Sequence, residues 1–138
     1  MWVAAAAKAA TEVLIGRPFS VEQSIEVEER SESFLVPVTS AALLGRGSLA
    51  LAISHCDPGS GLDLTRELEI WVCVQWGEKS LDVDAQLEAS SEGWLTVVAG
   101  MGVGRYQETG EVCLSGYGRG LLHRNLRHLV PIGKNLHM

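Results

Sequence analysis

Cysteine is scarce in this chain: Cys56, Cys73 and Cys113 are its only three, and no two of them form a CxxC pair. An odd number without that spacing builds neither a disulfide framework nor a zinc ribbon, and the expected setting is a reducing cytoplasm. Long apolar runs are missing as well. The apolar start at residues 2–7 is interrupted by Lys8 and Glu12 and has no basic leader, which argues against a signal peptide. Nothing approaches the roughly 18 consecutive apolar residues of a membrane-spanning helix. Basic charge is in deficit, with 11 Lys and Arg against 17 Asp and Glu and a formal net charge of -6. Duplex nucleic acid is therefore not expected as the main partner, since such binding draws on Lys and Arg neutralising phosphates.

What is present suits a packed core. The 138 residues are about one domain's worth, and 46% of them are hydrophobic. The charge is unevenly placed: residues 1–104 hold 6 basic and 15 acidic side chains, whereas residues 105–138 hold 5 basic and 2 acidic. Only the carboxyl-terminal stretch carries a field that attracts an anion.

Alanine-rich residues 4–15 predict a first helix, with Val3, Ala7, Ala10 and Leu14 on one face, Lys8 and Glu12 on the wet opposite face, and Gly16 and Pro18 ending it. The buried face is almost all methyl groups, so a neighbour can approach its backbone closely. The period then changes to two, and strands are expected around Ile25 and Val27, Phe34 to Val38, Leu49 to Ile53, Leu68 to Trp76, Leu81 to Leu87, and Trp94 to Val98. The segments 29–32 and 77–80 read as hairpin connections, and Pro37 places the second strand at an edge. Leu121, Leu122, Leu126 and Leu129 predict a carboxyl-terminal helix whose other face carries His123, Arg124, Arg127 and His128. The expected fold class is α+β, in two layers: a mostly antiparallel or mixed sheet of about six strands, an alanine-rich first helix and a last helix.

Three places are candidates for chemistry. Residues 54–65 form a polar, glycine-rich connection between two strands, the kind of segment that often carries function. His55, Cys56 and Asp57 are adjacent and so point to opposite faces of an extended chain, which weighs against a catalytic pair. Asp57, Ser60 and Asp63 either cap turns or contact a ligand. Residues 100–105, Gly-Met-Gly-Val-Gly-Arg, miss the dinucleotide fingerprint in their spacing, yet a glycine turn lets backbone NH groups reach a ligand and Arg105 can pair with a carboxylate. Gly116, Gly118 and Gly120 before the last helix, with Arg119, Arg124 and Arg127, make either an anion cradle or a solvated helix face. His123 and His128 are five apart and do not share a face for a metal, and no metal site is expected.

Three stretches together resemble the cobalt-precorrin-5B C1-methyltransferase family. They are the alanine helix at residues 4–10, the Asp63-Leu64-Thr65 loop followed by Leu68-Glu69-Ile70-Trp71, and the turn containing Gly100, Gly102, Val103, Gly104 and Arg105. The resemblance implies S-adenosylmethionine-dependent methylation of carbon 1 of an anionic cobalt-tetrapyrrole in anaerobic cobalamin biosynthesis. It implies an α+β amino-terminal domain followed by an α/β domain, of which this chain, residues 1–138, is the first, truncated part. On this reading Asp57 and Asp63 are the carboxylates available for catalysis, while Thr65, Gly102, Gly104, Arg105, Arg119 and Arg124 contact substrate. The loops after the third and sixth strands are expected to meet on one rim of the sheet. Two departures stand out: the chain begins inside the family's Thr-Thr-Gly motif, and Glu67 stands where the family usually has glycine. Family members are more than twice as long, which leaves open a separate chain carrying the missing carboxyl-terminal domain. The alternative is a non-catalytic binding or subunit module, or a decayed remnant of the enzyme.

Overall fold

The computed structural model describes residues 1–27, 32–57, 59, 66–77, 90–91 and 93–138. The first helix, α1 (Trp2–Leu14), is buried nearly all round: Ala4, Ala5, Ala6, Ala7, Ala9, Ala10, Thr11, Val13 and Leu14 are buried. Such a helix is a core element rather than a surface one. The face expected to be wet is half-covered. Lys8 Nζ donates to the Ser24 carbonyl at 2.7 Å, and the Gln23 amide donates to Glu12 Oε2 at 3.0 Å, so the strand that follows lies across it. The helix ends where glycine is needed: Gly16 sits at φ +82°, its NH reaches the Val13 carbonyl at 3.0 Å, and Arg17 NH reaches the Glu12 carbonyl at 2.9 Å. This is the Schellman arrangement, with glycine at the left-handed position.

Strands β1 (Glu22–Val27) and β2 (Glu32–Pro37) pair antiparallel as a sheet of their own. Only the other strands join the six-stranded sheet, in the order β3-β4-β5-β8-β7-β6. These are β3 (Ser40–Leu44), β4 (Leu49–His55), β5 (Glu69–Gly77), β6 (Ser90–Ser91), β7 (Leu95–Val97) and β8 (Asn135–His137). All neighbours in it are antiparallel except β7 and β8, which are parallel, so the sheet is mixed. The fold is α+β, as expected, with about six strands in the main sheet but a different membership. The expected first two strands split off, β3, β6 and β8 were not foreseen, and the expected strand at 81–87 lies outside the described residues, as do residues 78–80 of the expected 77–80 connection.

The inward face of the main sheet is its small-residue face. Ala50, Ala52 and Ser54 of β4, with Val72 and Val74 of β5, are buried against α1, and Ser54 Oγ donates to the Trp2 carbonyl at 2.9 Å. Alanine meeting alanine lets the helix and strand backbones approach, so the methyl-lined face of α1 finds the close neighbour it requires. Leu49, Leu51 and Ile53 consequently point to the other side. α2 (Gly116–Leu126) packs on α1 and β1 through Leu121, Leu122 and Leu126. Buried Asn125 fastens it: its amide donates to the Glu26 carbonyl at 3.0 Å and to the Leu121 carbonyl at 2.9 Å, and its oxygen accepts the Glu26 NH at 2.9 Å. No helix among the described residues is long and apolar enough to cross a membrane.

Candidate functional site

The strand directions decide where the candidate loops go. β4 opposes β5, β5 opposes β8, and β8 runs with β7, so the carboxyl ends of β4 and β7 point the same way. Both connections leave in one direction, separated by three strand spacings, about 14 Å. They are staggered along that direction. His55 closes β4 opposite Glu69, whereas β7 ends level with the middle of β5, roughly 17 Å short of that rim.

At the end of β4, Asp57 is exposed and its Oδ1 accepts the Gly59 NH at 3.0 Å. That is the turn-capping role, made by the short side chain bonding its own backbone two residues on. Cys56 is buried while His55 is half-exposed on the outer face, as the alternation of an extended chain requires. His55 Nε2 lies 3.7 Å from Glu69 Oε1 across the strand pair, and Glu69 Oε2 accepts the Trp71 indole NH at 2.9 Å. This cluster was not anticipated, because the pairing of His55 with Glu69 is set by register and not by sequence proximity. Asp63 and Thr65 lie outside the described residues.

The glycine turn after β7 leads into a second, small hairpin. Cys113 NH reaches the Gly104 carbonyl at 2.8 Å, Arg105 bridges Val112, and Tyr106 NH reaches the Glu111 carbonyl at 2.9 Å. Gly102 is at φ +81°, a conformation side-chain-bearing residues rarely adopt, whereas a Cβ at Gly104 would meet only Cys113 at an ordinary 3.7 Å. Arg105 Nη2 donates to the Ala99 carbonyl at 3.0 Å, so this guanidinium also holds its own turn. An open cleft of about 560 Å³ is lined by Arg105, Tyr106, Gln107, Glu108, Thr109 and Glu111.

The amino end of α2 joins the same hairpin. Ser115 caps it, accepting the Gly118 NH at 3.1 Å, and Arg119 reaches back with Nη2 3.7 Å from Glu111 Oε2. The structure thus brings Gly102, Gly104, Arg105 and Arg119 into one continuous region. Arg124 is exposed on α2, five residues and so about 140° of helical turn from Arg119. The basic face of α2 is not wholly solvated. His123 meets Trp94 edge-on with ring centroids 4.6 Å apart, and the Arg127 guanidinium lies 5.3 Å from the Trp94 ring centre. Beside the other loop, burial holds the Met1 amino group below its ordinary range, partly offset by Cys56. No cluster of three or more His, Cys, Asp or Glu side chains suited to a metal occurs among the described residues.

Comparison with known proteins matches the whole chain. A cobalt-precorrin-5B C(1)-methyltransferase of Prochlorococcus marinus (strain MIT 9303) is 59% identical over 138 residues, covering 100% of this chain and 36% of that protein. The protein of the same description from Prochlorococcus marinus (strain MIT 9313) is 59% identical over 138 residues, 100% of this chain and 35% of its own length. Its counterpart in Synechococcus sp. (strain CC9902) is 47% identical over 136 residues, 99% of this chain and 34% of its own length. The chain spans about a third of the length of these relatives. No solved structure matches significantly. Residues 1–138 match the CbiD family throughout, and the chain belongs to that family.

Proposed function

We propose that this chain is the amino-terminal, acceptor-binding part of an S-adenosylmethionine-dependent cobalt-precorrin-5B C1-methyltransferase of anaerobic cobalamin biosynthesis, working in the cytoplasm. The observation that carries this reading is the 59% identity that runs through all 138 residues to relatives described by that reaction. The acceptor is a polycarboxylate ring, and the stretch from Arg105 onward is the one part of the chain with excess positive charge. Arg105, Arg119 and Arg124, with the exposed NH-bearing turn at Gly102 and Gly104, supply the cationic and backbone donors that carboxylates require. For a methyl transfer the protein's share is positioning and electrostatics, because a sulfonium already supplies the leaving group.

The described residues do not fit a nucleoside cradle for the methyl donor. The turn after β7 runs into a hairpin rather than a helix, so no helix amino end backs its NH groups. The donor site is accordingly not placed on the described residues, and Asp57 and Asp63 are kept as the candidate catalytic carboxylates of the loop after β4. Anaerobic titration of the purified chain with the cobalt-precorrin, followed through the tetrapyrrole absorption, tests the reading. A saturable spectral change that Arg105→Ala and Arg119→Ala weaken supports it, and a flat titration overturns it.

The second reading is a non-catalytic subunit module. It predicts binding without turnover when donor and acceptor are both supplied.

A further inference from the structure

The outer face of the main sheet is apolar where a sheet face turned to water is ordinarily polar. Register places its side chains in three rows across β3, β4 and β5: Ser40, Ile53 and Trp71; Ala42, Leu51 and Cys73; Leu44, Leu49 and Gln75. Trp71 is 59% exposed and Leu44 40%, and Ala42 and Cys73 are exposed as well. Leu49, Leu51 and Ile53 stay outside the hydrophobic core that both helices share with the inward face. The inversion in β4, with alanines inside and leucines outside, leaves its largest aliphatic side chains half-buried on the side away from the core that the described residues form.

We propose that this face is an interdomain docking surface, and that its occupant is the remaining two-thirds of the CbiD-family polypeptide, whether in the same chain or supplied separately. Two observations select that occupant. The relatives are almost three times as long as the matched region, so a large partner surface exists in the family. The face carries little charge: Glu69 and His55 lie at one end, the Cys73 thiol in the middle and His137, paired with Gln75, at the other end, which suits an apolar protein surface and not a polyanion. The inference rests on reading the chain as one part of a larger enzyme. It places the tetrapyrrole elsewhere, on the Arg105 and Arg119 region.

Cys73 sits in the centre of the face and is the natural reporter. The chain by itself is compared with a chimera in which it replaces the matching third of the Prochlorococcus marinus (strain MIT 9303) protein. Iodoacetamide labelling of the Cys73 peptide is measured by mass spectrometry, normalised to the same peptide in urea, with no donor or tetrapyrrole present. At least tenfold slower labelling in the chimera is expected, and Leu51→Lys/Ile53→Lys restores it. Equal labelling in both proteins overturns the proposal. Protection already present in the isolated chain and growing with its concentration also overturns it, since a second copy is then the occupant. Should the chimera not fold, the tagged chain is co-produced with the relative's remaining portion. Recovery of that portion with the natural chain but not with Leu51→Lys/Ile53→Lys supports the proposal, and any other recovery pattern overturns it. Because no substrate enters these measurements, their failure leaves the titration result of the functional reading untouched.

Discussion

Glu67 donates its backbone NH to the Cys56 carbonyl at 2.8 Å while standing at φ +59°. Cys56 in turn donates to the Leu68 carbonyl at 3.0 Å, so one residue of the β4 side faces two of the β5 side. This is the bulge geometry whose first position favours glycine. It gives a physical reason for the glycine that the family resemblance places here, since a Cβ is disfavoured in the left-handed region.

Glu67→Gly is therefore expected to stabilise the chain by about 1 kcal/mol, the lower end of what such strained positions cost. Urea denaturation of the two proteins checks it. An unchanged or lower midpoint would show that Glu67 is held without strain.

Asn125→Ala removes three hydrogen bonds at a buried site and leaves the Glu26 NH and carbonyl without that partner. A loss of about 2–3 kcal/mol follows from leaving buried polar groups unsatisfied. Thermal unfolding should register this as a clear fall in Tm. A change no larger than that of a surface substitution would mean that water replaces the amide.

Ala6 is fully buried within α1, where helix and sheet approach through methyl groups. Ala6→Leu should destabilise by roughly 1–3 kcal/mol through overpacking. Equilibrium denaturation giving the same or greater stability would contradict the close packing described.

The positive stretch makes an electrostatic prediction. Arg119→Glu/Arg124→Glu should weaken cobalt-precorrin binding at least tenfold, about 1.4 kcal/mol, and the difference should shrink as salt is raised. Anaerobic absorption titrations at two ionic strengths measure both effects. Salt-independent affinity in the natural chain would remove charge from the account.

Arg127→Ala tests the packing of α2 on Trp94. Loss of the cation–π contact at 5.3 Å should lower stability by about 0.5–1 kcal/mol and alter the Trp94 contribution to fluorescence. Unaltered emission and stability would return Arg127 to the solvated face expected from sequence.

Periodicity made β5 readable: Ile70, Val72, Val74 and Trp76 are the inward set and Glu69, Trp71, Cys73 and Gln75 the outward one, as the alternation requires. The same reasoning missed β3, because Ala41 and Ala42 have little strand propensity and the turn through Gly45, Arg46 and Gly47 was not recognised. β8, three residues long, carries almost no local signal and exists through its neighbours β5 and β7. Among the candidate site residues, Gly102 was legible as a turn glycine, whereas the engagement of Arg105 with Ala99 and of Arg119 with Glu111 depends on the hairpin that joins them.

By itself the sequence determined both helices and the strongly alternating strands, the α+β class, the sign of each region's charge and the family motifs, because these follow from spacing and composition along the chain. Which side of β4 is the core was decided only in three dimensions. An alanine helix can pack closely only against small residues, so Ala50 and Ala52 turned inward and Leu49, Leu51 and Ile53 were left facing out. The pairing of His55 with Glu69 and the stagger of the two candidate loops likewise come from register, which no local pattern specifies.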